Sequence, residues 1–184
     1  MGVLDAFLAT WSSARAAFGD GAPQDGAAFD DSATLSALQF EVQQAGPGGR
    51  WDGAGSASYA TANQSHARIL GAAAELDRRL GVEVDRSAGV VAAGRRQLDA
   101  VRQWVLDAAS GVPDTADGER VLYPVVSRGS GEIVEILERT HTDMQSVAGR
   151  IEELGAEYQA LGDPAGGQFE IPVPSVDKPI ISGS

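Results

Sequence analysis

The chain has 184 residues, enough for one domain with a real core, and its apolar residues are mostly Ala, Val and Leu with few aromatics. A net charge of −12 with no visible basic patch excludes a nucleic-acid surface and an anionic-membrane surface. The absence of cysteine excludes disulfides, thiol catalysis and thiolate metal sites, and no apolar run reaches the roughly 18 residues needed to span a bilayer.

β-branched residues do not alternate with polar ones over any long stretch, so the fold class expected is all-α. The first segment, MGVLDAFLATW, lacks a basic stretch and carries Asp5 inside its apolar run, which makes a poor Sec signal. Ala6 stands where myristoylation needs Ser or Thr. Residues 3–18 instead read as an amphipathic helix. Leu4, Phe7, Leu8, Trp11, Ala14 and Phe18 fall three or four apart on one face. GDGAPQDGA at 19–27 ends it. A second helix over 31–45, capped by Asp31 or Ser32, carries Leu35, Leu38 and Val42.

The third helix is expected over about 55–110, a stretch without proline. Tyr59, Ala62, His66, Ile69, Ala73, Leu76 and Leu80 form its first stripe. Val84, Ala88, Val91, Arg95, Leu98, Val101 and Val105 continue it after one four-residue shift near Leu80. At 1.5 Å per residue this is a rod of roughly 80 Å. Gly71, Gly81, Gly89 and Gly94 weaken it, with a kink expected near Gly81; the alternative is two helices with a short break.

Residues 111–131 hold two Gly-rich turns around ERVLYPVV and read as a long connection. The last helix, about 130–162, shows a heptad seam of Ile133, Leu137, Thr140, Met144, Val147, Ile151, Leu154, Tyr158 and Leu161, and should run antiparallel to the second half of the long helix. The domain so defined spans 1–163. Residues 164–184, rich in Pro, Gly and Ser, read as an extended tail or linker.

Between the second and third helices stands GPGGRWDGAG. Its glycines permit a tight reversal, Asp52 is placed to cap the following helix, and Gly53 allows two backbones to approach. Trp51 is expected to plug the open end of the resulting hairpin. The stretch GRWDGAGSASYATANQSHARIL, followed by AELDRRL, resembles the Trp-x-Gly region of type VII (ESX) secretion substrates. It is especially similar to the secretion-associated Esp proteins of actinobacteria, of the EspA/EspE type. Trp51, Gly53, Ala57, Tyr59, Asn63, His66, Leu76 and Asp77 carry the resemblance, over roughly residues 35–80. It implies an elongated antiparallel bundle built on a Trp-x-Gly helical hairpin with one very long helix. It also implies a corner made by Trp51 and Gly53 with Tyr59, Asn63 and His66 beneath or beside it.

The resemblance further implies a non-enzymatic, secretion-associated role, either of the chain itself or as the N-terminal secretion and assembly module of a larger secreted protein. The partner would be a small helical protein of the Trp-x-Gly or Esp type, or a secretion chaperone. Export would follow a non-Sec route to the envelope or medium, from a cytoplasmic pool. One feature departs from the family pattern, a Tyr-x-x-x-Asp/Glu signal. Tyr158 is followed by Gly162 and only then Asp163, and Tyr59 meets Asn63.

Two other functions compete. The same apolar stripes would serve a self-assembling structural protein of the cell envelope, a homo-oligomer. A metal-dependent bundle enzyme would need Glu-x-x-His on two helices. Glu138 and His141 supply it once, but His66 follows Asn63 rather than a Glu. No Gly-x-Ser-x-Gly elbow exists, and SRGSGE at 127–132 lacks the Lys of a phosphate loop. No catalytic residue, cofactor site or metal site is assigned.

Overall fold

The computed structural model describes residues 2–45 and 53–162, and among these there are helices and no strand. Helix α1 spans Val3–Ala17, a 3₁₀ turn spans Gly26–Phe29, α2 spans Ser32–Gln44, α3 spans Ala54–Ala109 and α4 spans Ala116–Gly162.

Asp5 belongs to the first turn of α1, where its carboxylate accepts the Gly2 N–H at 3.0 Å. A negative charge is favoured at that end of a helix. The helix ends where Gly19 adopts the left-handed region at φ +70°, a conformation open to glycine. The face read from the sequence is the buried one. Phe7 and Ala14 are in the core, and Leu4, Leu8, Trp11 and Phe18 pack against it. Trp11 donates its indole N–H to the Leu98 carbonyl at 2.8 Å, which satisfies the polar end of a ring set in apolar surroundings.

The 56-residue α3 is one uninterrupted helix. Gly81, where a kink is expected from the sequence, lies within this continuous helix and serves packing. The 3₁₀ turn lies against it so closely that a Cβ on Gly26 would stand 1.9 Å from the Gly81 carbonyl oxygen. Asp85 holds the turn by accepting the Gly26 N–H at 2.6 Å. Arg95 fastens the preceding loop, donating to the carbonyls of Gly21 and Phe18 at 2.6 and 2.5 Å.

Helix α4 starts at Ala116, well before the expected residue 130, and is 47 residues long. The reading of 111–131 as a connection is therefore corrected to a loop of residues 110–115. Pro124 sits inside the helix, where it removes one backbone N–H donor. Burial outweighs that loss. Leu122 and Gly129 are buried on α4, and Val125 and Val126 pack on the core. The glycines that look like turn residues include a contact surface: a Cβ on Gly129 would come within 2.7 Å of Val105 and 3.0 Å of Phe7.

The heptad seam of α4 is confirmed, with Ile133, Val147 and Leu154 buried and the other seam positions half-buried, and Ile136 joins it. As expected, α4 runs antiparallel to the C-terminal half of α3. Gly129 meets Val105, Thr140 lies beside Gly94, Arg150 meets Glu83 and Glu157 meets Arg79. Helix α1 fills the groove between α3 and α4. Then α1, the 3₁₀ turn and α2 follow one another along α3 in the direction opposite to it. The product is a three-helix bundle at one end and a two-helix hairpin at the other.

Candidate functional site

The last turns of α4 form a polar lock with α3. Arg79 and Glu157 make a bidentate pair at 2.7 and 2.8 Å. Arg79 holds the Glu157 carboxyl below its ordinary value through that hydrogen bond. Glu83, 8% exposed, is gripped by Arg150 at 2.7 Å and Arg86 at 3.2 Å. Burying a carboxylate is costly unless cationic partners of this kind surround it. Tyr158 donates its hydroxyl to Asp77. Burial first, and then that hydrogen bond, push the Tyr158 hydroxyl well above the ordinary tyrosine range.

Sequence reasoning left Glu83 and Arg150 unremarked. Val84 beside Glu83 fits the apolar stripe, and the pairing becomes visible only when the antiparallel register of α3 and α4 is known.

Because α4 ends at Gly162, four residues past Tyr158, it covers α3 no further than about Ala73. N-terminal to that level α3 is accompanied by α2, which makes no substantial contact with α1 or α4 and buries none of its own residues fully. Leu35, Gln39 and Val42 face α3 and are half-buried. Asn63 reaches across and donates to the Val42 carbonyl at 3.4 Å, serving one of the last carbonyls of α2. Gly53 precedes α3 with φ +129°, a backbone conformation L side chains rarely adopt.

Of the five residues expected at the corner, Gly53 stands at the start of α3 and Asn63 reaches α2. Trp51 lies outside the described residues. Tyr59 and His66 are corrected: Tyr59 is 45% exposed and His66 is also exposed, so neither packs between the helices. The buried line towards α2 passes through Ala67 and Ala74 instead. The physical reason is rotational. The stripe from Tyr59 to Leu80 is turned towards the line that α4 occupies, and beyond Gly162 no described residue covers that line.

This end therefore displays apolar side chains. Leu38 and Ile69 are 43% and 40% exposed, and Phe40 is 61% exposed. On the stripe of α3 the change is abrupt: Leu76 is buried, Ala73 half-buried and Ile69 exposed. Formal charge is almost absent here. Over 32–45 and 53–70 only Glu41 and Arg68 carry one, in a protein of net charge −12. The hairpin has two unlike sides. One is an open polar groove lined by Gln39, Gln43, Thr61, Gln64 and Arg68. Helical spacing places Leu38, Tyr59, Ala62 and Ile69 towards the other.

Glu138 and His141 are exposed on α4, and among the described residues no three His, Asp or Glu side chains gather as metal ligands would. No described helix is long and apolar enough to cross a membrane.

The architecture is that of an all-α protein whose chemistry lies in helix faces, with one end finished and one end open. The sequence profile of the EspA/EspE family matches residues 18–100, which contain the 3₁₀ turn, α2 and most of α3, the open hairpin included. The match supports an Esp-like, type VII secretion-associated protein. No curated protein and no solved structure matches the chain.

Proposed function

We propose that this is a non-enzymatic type VII secretion-associated protein, or the N-terminal secretion and assembly module of a larger one, acting by helix-face recognition. The open hairpin is the recognition surface, and its partner is a small helical protein or a secretion chaperone. Export takes a non-Sec route from a cytoplasmic pool. The observation that carries this reading is the charge-poor end where Leu38, Phe40, Tyr59 and Ile69 stand exposed. An amphipathic helix laid on such a face removes apolar area from water without burying an unpaired charge.

The test is export from a host that carries the secretion system. Leu38→Asp with Ile69→Asp should abolish appearance of the protein in the medium while its thermal stability stays close to wild type. Export at the wild-type level from a stably folded double variant would overturn the reading.

Trp51 and Gly53 are the proposed corner of the hairpin. Trp51→Ala should lower the melting temperature, and an unchanged melting curve would remove the indole from that role.

A second reading is self-assembly through the same face, favoured by its neutrality, since the charge that repels copies of the protein sits elsewhere. Light scattering on the purified chain separates the two. A monomer that shifts only when a partner is added supports recognition, and a concentration-dependent oligomer supports assembly.

A further inference from the structure

The side of the hairpin turned away from Leu38 and Ile69 is built from different chemistry. An open groove of about 690 Å³ runs between α2 and α3 there, a size typical of ligand sites. Gln39 and Gln43 line it from α2, and Thr61, Asn63, Gln64 and Arg68 from α3. Much of their hydrogen-bonding capacity is unspent. Among the described residues, Gln39, Gln43 and Gln64 make no side-chain hydrogen bond. Arg68 makes no ion pair among them. Asn63 donates to the Val42 carbonyl at 3.4 Å and Thr61 to the Ala57 carbonyl at 3.0 Å, and each keeps an acceptor oxygen. Gly71 leaves room for the Gln39 amide, since a Cβ there would stand 2.7 Å from its Nε2.

An amide side chain offers a donor beside an acceptor, the complement of one peptide unit. Gln39 and Gln43 are four residues apart, about 6.0 Å along α2, and Gln64 and Arg68 are equally spaced on α3. An extended chain presents the same edge at every second residue, about 6.6 Å on. Successive amides can therefore meet successive peptide units. The wall from Ala60 to Arg68 is about 12 Å long, the length of about four extended residues. A helix offers nothing comparable, because its backbone groups are paired internally. Polyphosphates are disfavoured, since Arg68 is the one cation among these lining residues and the net charge is −12.

We propose that this groove binds an extended peptide segment of a partner protein that carries an Asp or Glu side chain. The main chain lies on Gln39, Gln43 and Gln64, and the carboxylate on Arg68. Main-chain hydrogen bonds supply the affinity, and the guanidinium selects the carboxylate. Over 32–45 and 53–70 Glu41 is the one acid. Charges further than about 8 Å away are largely screened at physiological salt. The site is separate from the apolar side and stands whether or not that side serves secretion.

The experiment titrates the full, isotope-enriched chain with pools of blocked heptapeptides, each pool fixing one residue type at one position. NMR follows the side-chain NH₂ signals of Gln39, Gln43 and Gln64. Pools that fix Asp or Glu should shift these signals at concentrations about tenfold lower than pools that fix Asn or Gln. Arg68→Gln should remove that preference, and Gln43→Ala with Gln64→Ala should abolish binding. All three positions are exposed, and unchanged signals from Leu98, Val105 and Ile133 show that each variant is folded. Absence of any shift would overturn the proposal, and so would an acidic preference that survives Arg68→Gln. Equal binding of peptides with N-methylated backbones would deny main-chain recognition. Shifts confined to Leu38, Tyr59 and Ile69 would assign peptides to the apolar side instead. Changes in the glutamine signals on diluting the free chain would give the groove to a second copy.

Discussion

The two ends of α3 are built from one helix and end in different states. At the C-terminal end α1 and α4 close around it, and Phe7, Leu98, Val105 and Ile133 are almost fully buried. At the N-terminal end, among the described residues, α2 alone lies beside it, and α2 has no buried residue. One helix beside another shields only one face of each, whereas a third closes the groove between them. Stability is concentrated where three helices meet, and exposed apolar surface where two do. The 3₁₀ turn pressed on Gly81 is the waist between these regimes.

Substitutions at either end test that contrast. Phe7→Ala, at 1% exposure in the closed end, should cost about 3–5 kcal/mol and lower the melting temperature by many degrees. A loss below about 1 kcal/mol in a denaturant titration would mean the three-helix core is not packed as described. At the waist, Gly26→Ala would drive a Cβ into the Gly81 carbonyl. It should cost about 1–3 kcal/mol, the range of overpacking, although alanine is an unremarkable residue in a turn. Chemical denaturation of that single variant measures it.

The lock at the end of α4 should show in alkali. The folded state raises the Tyr158 pKa above its ordinary 10.0, so the folded protein keeps a proton that the unfolded chain releases. This contribution is fully present below pH 10 and is lost as pH rises above it. Unfolding midpoints measured from pH 8 to 11 should fall more steeply for the wild type than for Tyr158→Phe. Parallel curves would deny the hydroxyl its role.

The smallest effect is expected at the open end. Phe40→Ala, 61% exposed, should change stability by no more than about 0.5 kcal/mol. A large loss there would mean that the α2 side of the hairpin is covered in the isolated chain.

Much of this was legible from residue spacing. The steps of three and four from Leu4 to Phe18 identify the buried face of α1, and the heptad from Ile133 to Leu161 identifies that of α4. Both work because a helix with one apolar stripe has one way to hide it. Glycine and proline misled, since one residue type serves both turns and close packing. Gly81 and Gly129 admit neighbouring elements, and Pro124 lies within a helix whose burial outweighs the missing donor. Among the expected corner residues, Gly53 precedes α3 and Asn63 contacts α2, while the stripe through Tyr59 and His66 faces the line of α4.

The sequence by itself determined that the protein is helical and which stripes want cover, because these are properties of one chain segment at a time. Tertiary structure alone decided how far each rod is covered. The register of α4 against α3, set by Gly129 under Val105, Glu83 on Arg150 and Glu157 on Arg79, ends that cover near Ala73. An apolar stripe has the same spacing whether or not a neighbour reaches it, so only the meeting of separate helices shows which part remains open.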